Sequence, residues 1–191
     1  GAAAIALQPL QVRDAGAAQW RTLATDEPFT LAAGMEIRTP LGAMDNPGFG
    51  VRGGPAVMLV GMSAVKVTDE GGLQVVDGQT MLDLSRAPQA YTVALNRQKV
   101  ALQPGAMVLL GVDNGEDYAS GGAPAPTLAL LHGQAEVVGA ANAGALLPGR
   151  LYELYDTGTG RFPSRGLSQA ESQQRFMPMI DAIRAANERY R

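Results

Sequence analysis

Reactive side chains are few and scattered in this chain, and what each could do is quickly bounded. His132 is the only histidine and there is no cysteine. A histidine-based metal site would have to complete its ligand set with carboxylates, and thiolate sites and disulfides are excluded. A Ser-His-Asp arrangement would need His132, yet no nucleophile-elbow sequence leads into a helix. Asp69-Glu70 and Glu116-Asp117 are adjacent carboxylates in turn-like contexts, where solvated charge is their ordinary role. A glycosidase pair would have to draw on Glu136, Glu153 or Asp156, since such pairs meet only in the fold. Asp113, Asn114, Glu116 and Asp117 offer oxygen ligands for calcium, but without the spaced glycine and distal glutamate of an EF-hand. The glycine-rich stretch over residues 40–54 has no Gly-Lys-Ser/Thr and no helix pattern after it, so phosphate-cradle templates fail. The residues predict a non-enzymatic protein with no metal and no cofactor.

With 191 residues the chain can bury a proper core, and 46% hydrophobic content argues against overall disorder. A net charge of −3 gives no electrostatic footprint for nucleic acid or an anionic membrane. No apolar run approaches the roughly 20 residues a spanning helix needs. The opening Gly1-Ala-Ala-Ala-Ile-Ala-Leu-Gln8 reads as the trimmed end of a signal peptide or anchor, or as an expression remnant. That reading and the absence of cysteine fit a bacterial envelope or periplasmic protein whose membrane contact, if any, lies in a segment outside this chain.

The elements that must position these residues are strands. Residues 7–13 alternate as a first edge strand, with Pro9 tolerable at an edge. Trp20, the only tryptophan, is expected to pack on the core, as core or lid. Short strands follow at residues 29–31 and 35–39. Residues 55–84 form the most strand-like stretch, with Val57, Leu59, Val65, Val67, Val75, Leu82 and Leu84 expected in the core. Turns are predicted at residues 69–72 and at Asp77-Gly78. Further strands are expected at 91–95, 99–102, 107–110, 128–138 and 151–155. Gly61, Gly78 and Gly133 align when the strands are superposed, and Ala101-Leu-Gln-Pro-Gly105 is echoed by Ala145-Leu-Leu-Pro-Gly149. Such echoes point to a degenerate strand–Gly–strand repeat with glycine at the corners. Beyond residue 160 the pattern turns helical. Ser168 and Glu171 have capping-box spacing, Phe176, Ile180, Ile183, Asn187 and Tyr190 fall near one face, and Pro178 should kink or divide the helix. The predicted fold is mostly β, stacked-strand, solenoid-like or sandwich, with a C-terminal α-helix. Its domains are a β-domain over residues 1–160 and a helical appendage over 161–191.

The pattern over residues 10–155 resembles the FecR-type domain, the envelope β-domain of ferric-citrate-type regulators. The likeness rests on Trp20-Arg-Thr-Leu23, Phe29-Thr-Leu-Ala-Ala-Gly-Met-Glu-Ile-Arg-Thr39, the Asp77-Gly78 corner, the late strand of residues 128–138 and Leu147-Pro-Gly149. Met35 stands where that family's pattern has aspartate, and residues 1–9 show no pattern for the family's N-terminal anti-sigma helix. The resemblance implies a periplasmic module for protein–protein interaction, signal relay or scaffolding. Partner contact is expected at exposed strand edges, at the loop of residues 40–54 and on the helix, with Phe49, Arg52, Tyr118, Phe176, Ile180 and Ile183 as candidates. Two alternatives are a cell-wall or carbohydrate-binding module, with Tyr118, Tyr152 and Tyr155 lining a groove, and a secretion-machine or adhesin subunit docking through the helix.

Overall fold

Alternating β-branched and aliphatic residues, punctuated by glycine and proline, give a chain that is mostly β. The structure, a computed structural model, describes residues 1–113, 125–140, 144–155 and 161–189. Its strands are β1 (Ala2–Ala6), β2 (Leu10–Arg13), β3 (Arg21–Leu23), β4 (Pro28–Leu31), β5 (Glu36–Arg38), β6 (Gly48–Val51), β7 (Ala56–Val67) and β8 (Leu73–Asp83). They continue as β9 (Tyr91–Leu95), β10 (Gln98–Leu102), β11 (Met107–Val112), β12 (Thr127–His132), β13 (Ala135–Val137), β14 (Ala145–Leu146), β15 (Arg150–Glu153) and β16 (Ser164–Gly166). A wide-turn helical segment (Glu171–Phe176) leads into α1 (Met177–Arg189).

The long β7–β8 hairpin organises everything else. Its turn is the expected one: Thr68 accepts from Gly71 N–H through its carbonyl and from Gly72 N–H through its hydroxyl. The register slips between Val60 and Ala64, a bulge that bends both strands. On one side of the bend β7 pairs with β6 and β8 with β11; on the other, β7 pairs with β5 and β8 with β9. Two wings therefore share the hairpin. The first runs β4–β1–β6–β7–β8–β11–β12–β15–β16, the second β3–β2–β5–β7–β8–β9–β10–β13–β14. Among the described residues every pairing is antiparallel except β8 with β9, and the mixed sheet does not close. A single core lies between the wings: Phe49, Val57, Leu82, Leu110 and Leu130 from the first meet Leu10, Ile37, Val65, Leu95 and Leu102 from the second. Strands that change layer through a bulge are how folded sheets make their corners.

The sequence echoes fall on the crossings between wings. After β10 the turn ending in Pro104-Gly105 carries the chain from the second wing into β11 of the first. After β14 the turn ending in Pro148-Gly149 does the same into β15. Gly105 and Gly149 take φ of +88° and +82°, and Gly149 N–H donates to Leu130 O at 2.8 Å. Gly61, Gly78 and Gly133 also share positive φ (+63°, +80° and +79°). Gly61 and Gly78, however, both lie in the β7–β8 bulge, between the Val60–Gln79 and Ala64–Asp77 pairs, and do not mark the corners of successive rungs. The strands run on past them, because positive φ lets a glycine take up the bulge without ending the strand.

Two expectations are corrected here. Residues 10–13 are not an edge strand, since β2 lies between β3 and β5; the strand before it, β1, sits between β4 and β6 with Ala4 and Ala6 in the core. Trp20 is neither core nor lid. It lies half-buried on the outside of the second wing, with the Arg38 and Arg13 guanidinium carbons 3.8 Å and 4.7 Å from its ring centroid. Arg13 is held at 2.8 Å by Glu36, and Arg38 Nε donates to Gln11 Oε1 at 2.8 Å.

Beyond residue 160 the chain first adds β16 to the edge of the first wing and then returns as a helix across its outer face. The capping box forms as the spacing requires: Glu171 N–H donates to Ser168 Oγ at 3.1 Å and Ser168 N–H to Glu171 Oε1 at 3.2 Å. Arg165 grips both carboxylate oxygens of Glu171, and that grip with the Ser168 bonds lowers the Glu171 pKa to about 2. Pro178 lacks an N–H, and the turn before it is widened; regular α-helix begins at Met177. Phe176, Ile180 and Ile183 bury themselves on Ala56, Met58, Met81, Met107, Leu109 and Ala129, a second apolar layer separate from the main core. At the far end Arg86 donates to Glu188 Oε1 and to Asn187 O, and Asn187 Nδ2 donates to the buried Asp83.

Candidate functional site

Where the two wings meet, the glycine-rich loop and the bulge of β7 build one exposed tip. Residues 40–47 leave β5 through Pro40, turn at Gly42 (φ +77°) and return through Pro47, whose carbonyl accepts Leu59 N–H at 2.8 Å. Opposite them stands Gly61-Met62-Ser63. Thr39 Oγ1 donates to Gly61 O at 2.7 Å, Gly61 N–H donates to Asn46 Oδ1 at 2.9 Å, and Ser63 N–H donates to Thr39 Oγ1 at 3.2 Å. Ser63 in turn donates to Val60 O and accepts Gln79 N–H. Thr39 and Ser63 are buried polar groups with their hydrogen bonds made, so they act as a frame.

Three apolar side chains project from that frame. Leu41 is 80% exposed, Met44 96% and Met62 58%. A single exposed leucine is ordinary, but three large apolar groups on two hydrogen-bonded segments are not. Asp45 is the only charge between residues 39 and 51, and there is no lysine or arginine in that stretch to meet lipid headgroups. What the arrangement offers is apolar surface that can be buried against something else.

The candidates named from sequence are dispersed. Arg52 is exposed on the turn between β6 and β7, its N–H given to Ala3 O at 2.8 Å, beside a hollow of about 330 Å³ lined by Ile5, Val51, Pro55 and Asn187. Phe49 is fully buried, edge-on to Phe29 with ring centroids 5.9 Å apart. Phe176, Ile180 and Ile183 are buried on the chain's own first wing. Tyr118 and most of the acidic loop lie outside the described residues. Tyr152 does not line a groove; its ring is buried and its hydroxyl accepts Leu147 N–H at 2.7 Å, while Tyr155 is exposed. His132, Glu136 and Glu153 are exposed on separate strands, and Glu70 pairs with Lys99 at 3.4 Å. Among the described residues no three potential metal ligands come together. A hollow of about 390 Å³ beside the β7–β8 turn is lined by Thr68, Glu70, Thr92, Lys99 and Tyr91, whose burial pushes its hydroxyl up to about 12.

Sequence reasoning singled out the loop but not Leu41, Met44 or Met62 themselves. Leu41 and Met44 carried a signal in being apolar residues inside a glycine/proline loop with no strand period to bury them. Met62 carried none, because Gly61-Met62-Ser63 reads as uninterrupted strand. Comparison with protein-family models, with curated proteins and with solved structures finds no match to the chain.

Proposed function

We propose that the chain is a non-enzymatic recognition module of the FecR-like kind, presenting the tip of Leu41, Met44 and Met62 to a protein partner in the bacterial cell envelope. The observation that carries this reading is the exposure of those three side chains on a hydrogen-bonded frame at the junction of the wings. Fully burying a leucine or methionine gains about 1.5–3 kcal/mol, so a complementary pocket would draw most of its affinity from the tip. A stretch whose one charge is Asp45, with no lysine or arginine between residues 39 and 51, favours a protein pocket over a lipid surface. The helix supports a different role, since its apolar face is already occupied.

The test places a photo-crosslinking benzoylphenylalanine at Ala43 and, as a control, at the exposed Thr22 of the second wing. Each variant is irradiated in envelope extract. A discrete protein adduct is expected at position 43 only, and the triple change Leu41→Ser, Met44→Ser and Met62→Ser should cut its yield by about tenfold, the equivalent of ~1.4 kcal/mol. Equal adducts at both positions would overturn the reading. So would an adduct indifferent to the triple change, or co-sedimentation with lipid vesicles in place of any adduct.

A further inference from the structure

The chain's eight methionines divide sharply by environment. Met35, Met58, Met81 and Met107 are buried, the last three under the helix, whereas Met44 and Met62 stand out at the tip. Met177 is exposed at the start of α1, and Met179 packs partly against the helix seat. We infer that Met44 and Met62 are a paired oxidation site, and that their conversion to sulfoxides by a peroxide switches the tip from apolar to polar. This rests on the tip being the recognition surface.

The chemistry needs nothing from the protein except access. The thioether sulfur attacks a peroxide oxygen, the O–O bond breaks as the S–O bond forms, and sulfur loses two electrons. The peroxide leaves as water or, for an alkyl peroxide, as the alcohol. The product is a polar, chiral side chain that a sulfoxide reductase can return to the thioether. Methionine serves such a surface well while reduced, because its flexible thioether adapts to an irregular pocket. The position also keeps the fold out of the reaction. Neither Met44 nor Met62 contributes its side chain to either apolar layer, and the frame of Thr39, Asn46, Gly61 and Ser63 uses no sulfur. Oxidation of Met58, Met81 or Met107 would instead place a sulfoxide beneath the helix, where it would loosen the seat.

The experiment treats the full chain with dilute hydrogen peroxide, quenches with catalase, and follows each methionine by peptide mass spectrometry. Sulfoxide is expected at Met44 and Met62 before any at Met35, Met58, Met81 or Met107, with the far-ultraviolet circular dichroism unchanged. The quenched protein carrying the crosslinker at Ala43 is then irradiated in untreated envelope extract. Adduct yield should fall about tenfold, as in the triple serine variant. In the double variant Met44→Leu and Met62→Leu, whatever its adduct yield before treatment, peroxide should leave that yield unchanged. Simultaneous oxidation of tip and buried methionines would overturn the inference, as would full adduct yield from oxidised protein or equal loss from the double leucine variant. Those results leave the recognition reading standing. Absence of any adduct before peroxide treatment would remove both.

Discussion

Among the described residues, Tyr91 and Thr80 each hold a hydroxyl out of water with no hydrogen-bond partner. A buried donor without a partner keeps its desolvation cost, on the order of 1–3 kcal/mol, whereas removing it with its shape preserved is close to neutral or favourable. Tyr91→Phe should therefore raise stability at pH 7 by about 1 kcal/mol. The gain grows with pH. Burial raises the folded-state pKa of Tyr91 to about 12, against about 10 in an unfolded chain. Between those values the unfolded state has released the proton and the folded state has not, so the wild type loses stability as pH rises from about 10 to 12. Phenylalanine has no such loss. Urea titrations at pH 7 and pH 11 measure both effects, and a gap between the two proteins that stays constant or narrows would contradict the assignment. Little of this was legible from residue types. Tyr91 opens a strand and could face either way, and only the end of the second wing decides that its hydroxyl points where no partner waits. Val57, Leu59, Val65, Val67, Val75, Leu82 and Leu84 were legible, because alternation alone fixes a common face, and all seven are buried.

At the scale of elements, glycine looks uniform in sequence but is not uniform in space. Gly61 and Gly78 occupy the same bulge with similar positive φ. A Cβ on Gly61 would meet nothing within 4 Å, while one on Gly78 would sit 2.7 Å from Met62 O and closer still to Ser63 Oγ. Gly61→Ala should thus cost only the backbone penalty of about 1 kcal/mol. Gly78→Ala adds a clash against backbone that cannot step aside, for a total of about 2–4 kcal/mol. Chemical denaturation of the two variants checks the ordering, and comparable losses would mean that the bulge relaxes around either side chain. The same pair explains where sequence reasoning stopped. Turn residues announce themselves singly, so the β7–β8 turn and the Pro-Gly crossings were readable. A bulge requires knowing which residues lie opposite, and Gly61 and Gly78 come into one bulge only when β7 and β8 pair. The capping box was readable for the opposite reason: Ser168 and Glu171 meet within one helical turn, with no help from the rest of the chain.

At the scale of the molecule, the wings share one core while the helix adds a separate layer to the first wing alone. Residues 167–191 should therefore be removable without loss of the β-structure, at the cost of baring its outer face. Phe176, Ile180 and Ile183 contribute about 1.5–3 kcal/mol each by burial. That sum overstates the loss, because an unfolded chain already buries part of this surface. Ala56, Met58, Met81, Met107, Leu109 and Ala129 would then form an exposed apolar patch on strands already paired edge to edge. Patches of that kind drive association. The truncated protein should keep its circular dichroism β signal, bind a hydrophobic dye that the full chain does not, and self-associate in light scattering. A monomeric, dye-silent truncation would mean that the helix is not what keeps the first wing solvated. The helix's apolar face would then have to be reopened as a candidate dock, because its seat on the sheet would no longer explain why Phe176, Ile180 and Ile183 recur on one side.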